Sequence, residues 1–265
     1  KIDEEYLGLI KLIEELRAGD NVVFYTPSQR EYLPFVRALL RQASAERRAW
    51  VYVRSSGSFD SLIGHFSDGA VWDLSNLASD QLAESALRSA IERTTPGTCL
   101  VFESLDTYTR WFPDETRLCQ LFLTLCPLLF RAQAVAYWDI LRDSFSTATM
   151  AAIKDCTQIL LKVQGSEPDL VLIPLKVWGR FSETMFWPHR VITDGGILRI
   201  APSPASDCDA ESYAQALAEK NRELAEIRDA LDQSNHALVQ RNNALADLNR
   251  RLSEQSRLYE SLRDN

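Results

Sequence analysis

The sequence contains few of the residues that build metal sites and disulfide frameworks. Its 265 residues include three histidines and five cysteines, and no two cysteines have the C-x-x-C spacing. Metal centres and disulfide scaffolds both require closer and more regular spacing. We therefore predict buried, reduced thiols, no metal and no cofactor, in a cytoplasmic protein.

Long apolar runs and excess positive charge are missing as well. No stretch approaches the ~20 apolar residues that span a bilayer, which predicts no membrane partner. Lys and Arg number 29 against 37 Asp and Glu, for a formal net charge of -8. This acidic balance predicts no nucleic-acid partner. With 46% hydrophobic and 25% charged residues, the composition is that of an ordinary globular protein.

Glycine, proline and tryptophan disappear after Pro204, which indicates two parts. Before that point, strand-like and helix-like segments alternate, and the middle strands are continuous apolar runs. Such runs are typical of a parallel sheet with helices on both faces. We predict an α/β domain over residues 1–200, with a mainly parallel sheet flanked by helices and antiparallel hairpins at its C-terminal end. A linker over 201–210 and a coiled coil over 211–265 follow.

The last part has leucine at every seventh position, and asparagine recurs three residues before a leucine. This heptad pattern predicts a parallel two-stranded coiled coil, because paired asparagines at core positions set register and strand number. A single free helix is the alternative, but it would leave the leucines exposed to water. The predicted dimerisation residues are Leu217, Asn221, Leu224, Leu231, Asn235, Leu238, Asn242, Leu245, Asn249 and Leu252.

The stretch "LIPLKVWGRFSETMFWPHRVITDGGILRI" resembles the C-terminal sheet of the KaiC branch of RecA-like ATPases. The matching residues are Lys176, Gly179, Pro188, the Val191–Asp194 segment, Gly196 and Ile197. The upstream order is also similar over residues 19–200: "GDNVVFYT" resembles the phosphate-loop strand and "GTCLVFESLDTY" the metal-binding strand. A methanogen/methylotroph sensory domain has a similar strand-turn-helix opening. The resemblance implies a RecA-like sheet.

The stretch that follows the first strand lacks the residues of a working phosphate loop. That motif, G-x-x-x-x-G-K-[ST], uses glycines for a tight curl, lysine for the phosphates and a hydroxyl for Mg²⁺. Here no glycine is present, Pro27 removes an N–H donor, and Glu31 would repel phosphate. The degenerate phosphate-loop positions are Thr26, Pro27, Ser28, Gln29, Arg30, Glu31 and Tyr32.

Two further parts of the ATPase machinery look lost. The acidic pair expected after the second strand is replaced by Arg54-Ser55-Ser56. The degenerate metal-motif positions are Glu103 and Asp106, although Glu103 could equally be a polar residue at a strand end. We therefore expect a pseudo-ATPase: a catalytically inactive KaiC/RecA-like signalling or scaffold module that binds protein partners and forms a homodimer. It would serve as the input part of a regulatory protein.

The alternative is an atypical nucleotide-binding ATPase with a non-standard phosphate site. Arg30, Arg54 and the polar stretch "SSGS" at 55–58 would then hold the nucleotide or a small anion. Near the end of the domain, Lys176 and Arg180 are expected in structural salt bridges. The aromatic residues Trp178, Phe181, Phe186 and Trp187 either close the core or form an apolar docking face.

Overall fold

The structure is a computed structural model that describes residues 16–180, 186–194 and 197–204. The predicted coiled coil at 211–265 and Gly196 of the KaiC-like stretch lie outside these residues. Every predicted dimerisation residue therefore lies outside them too. None of the described helices is long and apolar enough to cross a membrane.

Strands and helices alternate along the described chain, as the hydrophobic pattern predicts. They are β1 (Asn21–Thr26), α1 (Gln29–Ala45), β2 (Trp50–Arg54), α2 (Asp60–Ile63), β3 (Ala70–Asp73), α3 (Asp80–Glu92), β4 (Cys99–Ser104), a 3-10 helix (Leu105–Arg110), α4 (Glu115–Arg131), β5 (Val135–Leu141), α5 (Thr147–Cys156), β6 (Ile159–Gln164), β7 (Leu170–Val177), β8 (His189–Asp194) and β9 (Ile197–Pro204). Because β9 continues to Pro204, the sheet includes the first four residues of the predicted linker.

In the described part of the chain the strands form one sheet in the order β3-β2-β4-β5-β1-β6-β7-β8-β9. Neighbours from β3 to β6 pair in parallel, and β6 to β9 pair antiparallel. The predicted α/β class, with a mainly parallel sheet and antiparallel C-terminal strands, is confirmed. Asp194 pairs with Ile197 across the last two strands, as expected for a tight hairpin.

The helices cover both faces of the parallel strands. The connections from β1 to β2 and from β2 to β3 run toward the β3 edge of the sheet, and those from β3 to β4, β4 to β5 and β5 to β6 run in the opposite direction. Because such crossovers are right-handed, α1 and α2 lie on one face of the sheet and α3, α4 and α5 on the other. Successive side chains of β1 point to opposite faces of the sheet. Val22 and Phe24 belong to the hydrophobic core under α1, and Val23 belongs to the core on the other face, under α3, α4 and α5. This two-sided burial explains why the parallel strands are continuous apolar runs.

Side-chain oxygens cap α1, α3, α4 and α5 at their N-termini. The Ser79 hydroxyl accepts a hydrogen bond from the Leu82 backbone N–H at 3.3 Å, so Ser79 is the N-cap of α3. Asp114 and Ser146 cap α4 and α5 in the same way. Each cap satisfies a backbone donor that the first helical turn leaves free.

The two basic residues near the end of β7 both have structural partners. The Arg180 guanidinium lies 2.6 Å from the Asp20 carboxylate, and both side chains are largely buried, so the predicted salt bridge is confirmed for Arg180. Lys176 differs: its ammonium group donates to the backbone carbonyls of Lys154 at 2.6 Å and Asp155 at 2.9 Å. It therefore caps the C-terminus of α5.

The aromatic residues that follow β7 do not close the core. Trp178 is 61% exposed, and Phe186 and Trp187 are more than one third exposed. The Trp178 ring meets the exposed ring of Phe130 edge-on, with centroids 6.2 Å apart. This outcome favours the docking-face interpretation for the three described residues; Phe181 lies outside the described residues.

Candidate functional site

The carboxyl ends of the central parallel strands form the candidate site. In open α/β sheets, ligands bind where adjacent strands are followed by helices on opposite faces. The sheet has this arrangement at β1 beside β5 and at β2 beside β4. The degenerate phosphate-loop residues begin at Thr26, the last residue of β1, and the "SSGS" residues, hereafter the serine loop (Ser55–Ser58), follow β2.

The turn after β1 is closed by the side chains of its own helix. Ser28 is the N-cap of α1: its hydroxyl accepts from the Arg30 N–H at 3.3 Å and donates to the Glu31 carboxylate at 2.5 Å. Glu31 is buried, and its negative charge lies at the positive end of the helix dipole. Pro27, Ser28 and Arg30 are exposed, and Gln29 is half-buried. The Glu31 carboxylate therefore occupies the N-terminus of α1, where a phosphate would otherwise bind.

Tyr32 fills the space behind this turn. Its side chain is fully buried, and its ring lies 5.3 Å from the ring of Phe24 and 5.6 Å from that of Phe59. The phenol hydroxyl points at the Phe102 carbonyl at 3.4 Å, and burial raises the pKa of Tyr32 well above its usual value. An aromatic side chain thus occupies the region next to the predicted phosphate position.

Glu103 occupies the centre of the serine loop. It is fully buried in β4, and its carboxylate accepts hydrogen bonds from successive backbone N–H groups and from hydroxyl groups around it. The N–H groups of Ser55 and Gly57 donate at 2.8 and 2.9 Å. The other donors are the Ser56 N–H and the hydroxyls of Ser55, Ser56, Ser58 and Tyr52.

This arrangement is an anion site filled by the protein's own carboxylate. Consecutive N–H groups that converge on one point form a concavity for anions. Gly57 adopts a φ of 86°, in the left-handed region that favours glycine, and this turn directs its N–H toward Glu103. Burial alone would raise the pKa of Glu103, but the hydrogen bonds from Ser55, Tyr52 and Ser56 lower it to about 2.

Neighbouring charged groups hold the loop from outside. The Arg54 guanidinium lies 3.0 Å from the carboxylates of both Asp60 and Asp73, which are its ion-pair partners. Arg110 donates to the backbone carbonyls of Ser55 and Ser75 at 3.2 and 3.0 Å. These contacts connect the loops that follow β2, β3 and β4. Arg54, predicted to bind a nucleotide or a small anion, instead binds carboxylates of the protein itself.

Asp106 and Asp139 connect the ends of β1, β4 and β5. The Asp106 carboxylate accepts from the Ser104 hydroxyl at 2.7 Å and from the Leu141 N–H at 3.2 Å. The Thr26 hydroxyl donates to Asp139 at 2.5 Å, and both residues are fully buried. The two predicted positions Thr26 and Asp106 therefore lie in one polar region around Asp139.

Asp139 is a site residue that the sequence interpretation missed. It lies within the apolar strand "VAYWDIL" of β5, and a lone carboxylate in a buried strand was the available signal. Burial, opposed by the hydrogen bond from Thr26 and assisted by the charge of Asp106, raises the pKa of Asp139 to about 7. The second oxygen of this carboxyl group has no hydrogen-bond partner among the described residues.

Replacing Asp139 with asparagine is expected to flatten the pH dependence of stability between pH 6 and 8. The folded protein holds the proton more tightly than the unfolded chain, so this group favours folding at low pH and loses that contribution as pH rises through about 7. The wild-type free energy of unfolding should therefore rise by about 1 kcal/mol from pH 8 to pH 6 relative to Asp139→Asn. Urea titrations at both pH values measure the difference, and parallel curves would contradict the assignment.

A scan against protein-family models and a search of curated proteins found no match for this chain. Within residues 16–180, 186–194 and 197–204, no three His, Cys, Asp or Glu side chains cluster in a way that could hold a metal ion. The donors and acceptors of the candidate site are largely paired with one another.

Proposed function

We propose that this protein is a catalytically inactive, cytoplasmic KaiC/RecA-like signalling or scaffold module that dimerises through its C-terminal coiled coil and binds protein partners. In a longer protein it would act as the input part of a regulator. One observation carries the proposal: the buried carboxylate of Glu103 fills the anion-binding loop at the carboxyl end of β2. The resemblance to KaiC/RecA-like ATPases supplies the fold family.

The residues at the other ligand-binding positions support the same conclusion. A nucleotide phosphate at the N-terminus of α1 would meet the Glu31 carboxylate, which already interacts with Ser28. Catalysis of phosphoryl transfer depends on positioned cations and backbone donors around the phosphates. Here Arg54 is bound to Asp60 and Asp73, and the serine loop is bound to Glu103. A nucleotide would have to replace these contacts.

Protein binding and dimerisation rest on different features. The exposed aromatic side chains of Trp178 and Phe130, with Phe186 and Trp187 nearby in sequence, are of the type found at protein interfaces. The heptad leucines with asparagine at core positions are typical of parallel dimers. At about 1.5 Å per residue, a helix of about 50 residues is about 75 Å long, so the coil would carry the state of the head domains over that distance.

Isothermal titration calorimetry with ATP, ADP, GTP and cyclic dinucleotides tests the inactive-module proposal against the nucleotide-binding alternative. We expect no binding heat and no phosphate release in the presence of Mg²⁺. Saturable binding with a Kd in the micromolar range would contradict the proposal. The variants Arg30→Ala and Arg54→Ala would then show whether the alternative site is the one used.

Light scattering tests the dimer. The intact chain is expected to have the mass of two copies, and a chain that ends at Asp207 the mass of one, because the predicted seam lies entirely beyond that residue. Asn235→Leu together with Asn242→Leu is expected to keep association but relax its stoichiometry, since the polar core residues disfavour higher oligomers. A monomeric intact chain, or truncation without effect, would refute dimerisation through the coil.

A further inference from the structure

Three cysteines lie at the interface between α4 and α5. Cys119 and Cys126 are buried on α4, and Cys156 is partly exposed at the C-terminus of α5. The Sγ atoms of Cys126 and Cys156 are 3.5 Å apart, which is a non-bonded contact between two free thiols. A disulfide requires about 2.05 Å, so closing this pair takes a movement of about 1.5 Å.

The two sulfur atoms have different surroundings. The Asn21 side-chain amide donates to the Cys126 sulfur at 2.8 Å in the buried interior. The Cys156 thiol donates to the Cys126 sulfur at 3.5 Å. The hydrogen-bonding contact with Cys126 and the nearby charge of Lys176 lower the pKa of Cys156, against the opposing effects of burial and Asp155. Burial raises the pKa of the Cys126 thiol. Cys156 is thus the more nucleophilic and the more accessible member of the pair.

The backbone beside Cys126 can accommodate the movement. Pro127 follows it within α4, and a proline in a helix interior has no N–H for the carbonyl four residues earlier, here Leu123. Prolines inside helices are common points of bending. Cys156 is the last residue of α5, and the carbonyl groups of a helix's last turn have no hydrogen-bond partner within the helix.

We propose that Cys126 and Cys156 form a reversible disulfide within one chain when a peroxide oxidises the protein. The Cys156 thiolate attacks one oxygen of hydrogen peroxide; the O–O bond breaks, hydroxide leaves and takes up a proton, and Cys156 becomes a sulfenic acid. The Cys126 sulfur then attacks the Cys156 sulfur, the S–O bond breaks, and water leaves with the Cys126 proton. Two thiols lose two electrons and two protons, and the peroxide becomes two molecules of water.

Oxidation would connect the middle of α4 to the end of α5. This bond lies beside Asn21 at the start of β1 and beside Lys176 of β7, which caps α5. It is therefore at the opposite end of β1 from Thr26. The thiol pair is separate from the polar region around Glu103 and Asp139. Disulfide formation is therefore a property additional to the proposed function and does not depend on it.

Peptide mapping without reduction tests this assignment. The intact chain is treated with a small molar excess of hydrogen peroxide, alkylated and digested with trypsin. We expect two of the five cysteines to escape alkylation. Peptide 118–131 should be linked to peptide 155–162, and dithiothreitol should restore both thiols. Because Cys119 shares a peptide with Cys126, the control Cys119→Ser must retain the link.

The variants distinguish the proposed pair from other oxidation. Cys126→Ser removes the resolving thiol but keeps an oxygen acceptor for Asn21, so Cys156 should be trapped as a sulfenic acid adduct by dimedone. Cys156→Ser should leave Cys126 alkylatable after peroxide, and circular dichroism checks that both variants are folded. Five alkylated cysteines in the oxidised wild type would overturn the proposal. A link to Cys119, Cys99 or a second chain, or Cys156 oxidised beyond sulfenic acid without a link, would do the same.

Discussion

Replacing Glu103 with alanine is expected to cause a large loss of stability. The serine loop would lose the acceptor for its backbone N–H groups and its hydroxyls, and Tyr52 would lose its partner. Unsatisfied buried donors cost about 1–3 kcal/mol each before relaxation. We expect a decrease of about 3–5 kcal/mol in the free energy of unfolding, measured by urea titration.

Acetate should partly rescue the Glu103→Ala variant. The substitution leaves the anion-binding loop empty and vacates about the volume of one acetate ion. Acetate at about ten times its Kd would stabilise the variant by about 1.4 kcal/mol through binding to the folded state. Glu103→Gln is the matched control, because its amide fills the space and should prevent rescue. Equal effects of acetate on the two variants and the wild type would show that the loop is not an anion site.

The low pKa of Glu103 also predicts how acid affects the wild type. A carboxyl group whose pKa is lower in the folded state stabilises the protein above its ordinary pKa of 4.5. That contribution disappears as pH falls toward the folded value of about 2. Acid unfolding of wild type should therefore be steeper over this range than that of Glu103→Gln. Identical slopes would contradict the assignment.

Replacing Tyr32 with alanine is the second change with a large expected effect. The ring is fully buried between Phe24 and Phe59, and removal of a buried aromatic side chain costs about 3–5 kcal/mol, because the surrounding structure collapses only in part. The cavity would lie behind the turn at 26–28. We expect the midpoint of urea unfolding to fall without a change in the overall circular dichroism spectrum.

Tyr32→Phe is the control for this prediction. It keeps the ring and removes only the hydroxyl, whose hydrogen bond to the Phe102 carbonyl is long at 3.4 Å. The expected cost is about 1 kcal/mol or less. If Tyr32→Phe were as destabilising as Tyr32→Ala, Tyr32 would stabilise the protein through its hydroxyl hydrogen bond and not through the packing of its ring.

Local sequence patterns predicted most of the fold because they report which residues are buried. The apolar run at 21–26, within the strand-like stretch "GDNVVFYT", is β1. The largest difference is at β9, which includes Pro202 and Pro204. Those prolines indicated a linker, but a proline is tolerated in an edge strand, where its missing N–H breaks no central pairing.

The site was less predictable because its contacts join residues far apart in sequence. The sequence indicates a metal-motif residue or a polar strand end for Glu103, and a place for an external anion at the serine loop. The structure brings the two together because β2 and β4 are neighbours in the sheet. Asp139 was missed for the same reason: its partner Thr26 lies on a strand more than one hundred residues earlier.

The sequence by itself determined the α/β class, the alternation of strands and helices, and the loss of glycine and lysine from the turn after β1. These are properties of neighbouring residues, set by side-chain periodicity and backbone preference. Only the tertiary structure decided that the ligand-binding positions are filled from within. That outcome depends on strand order, since the pairing of β2 with β4 and of β1 with β5 aligns their ends and brings carboxylates to distant donors.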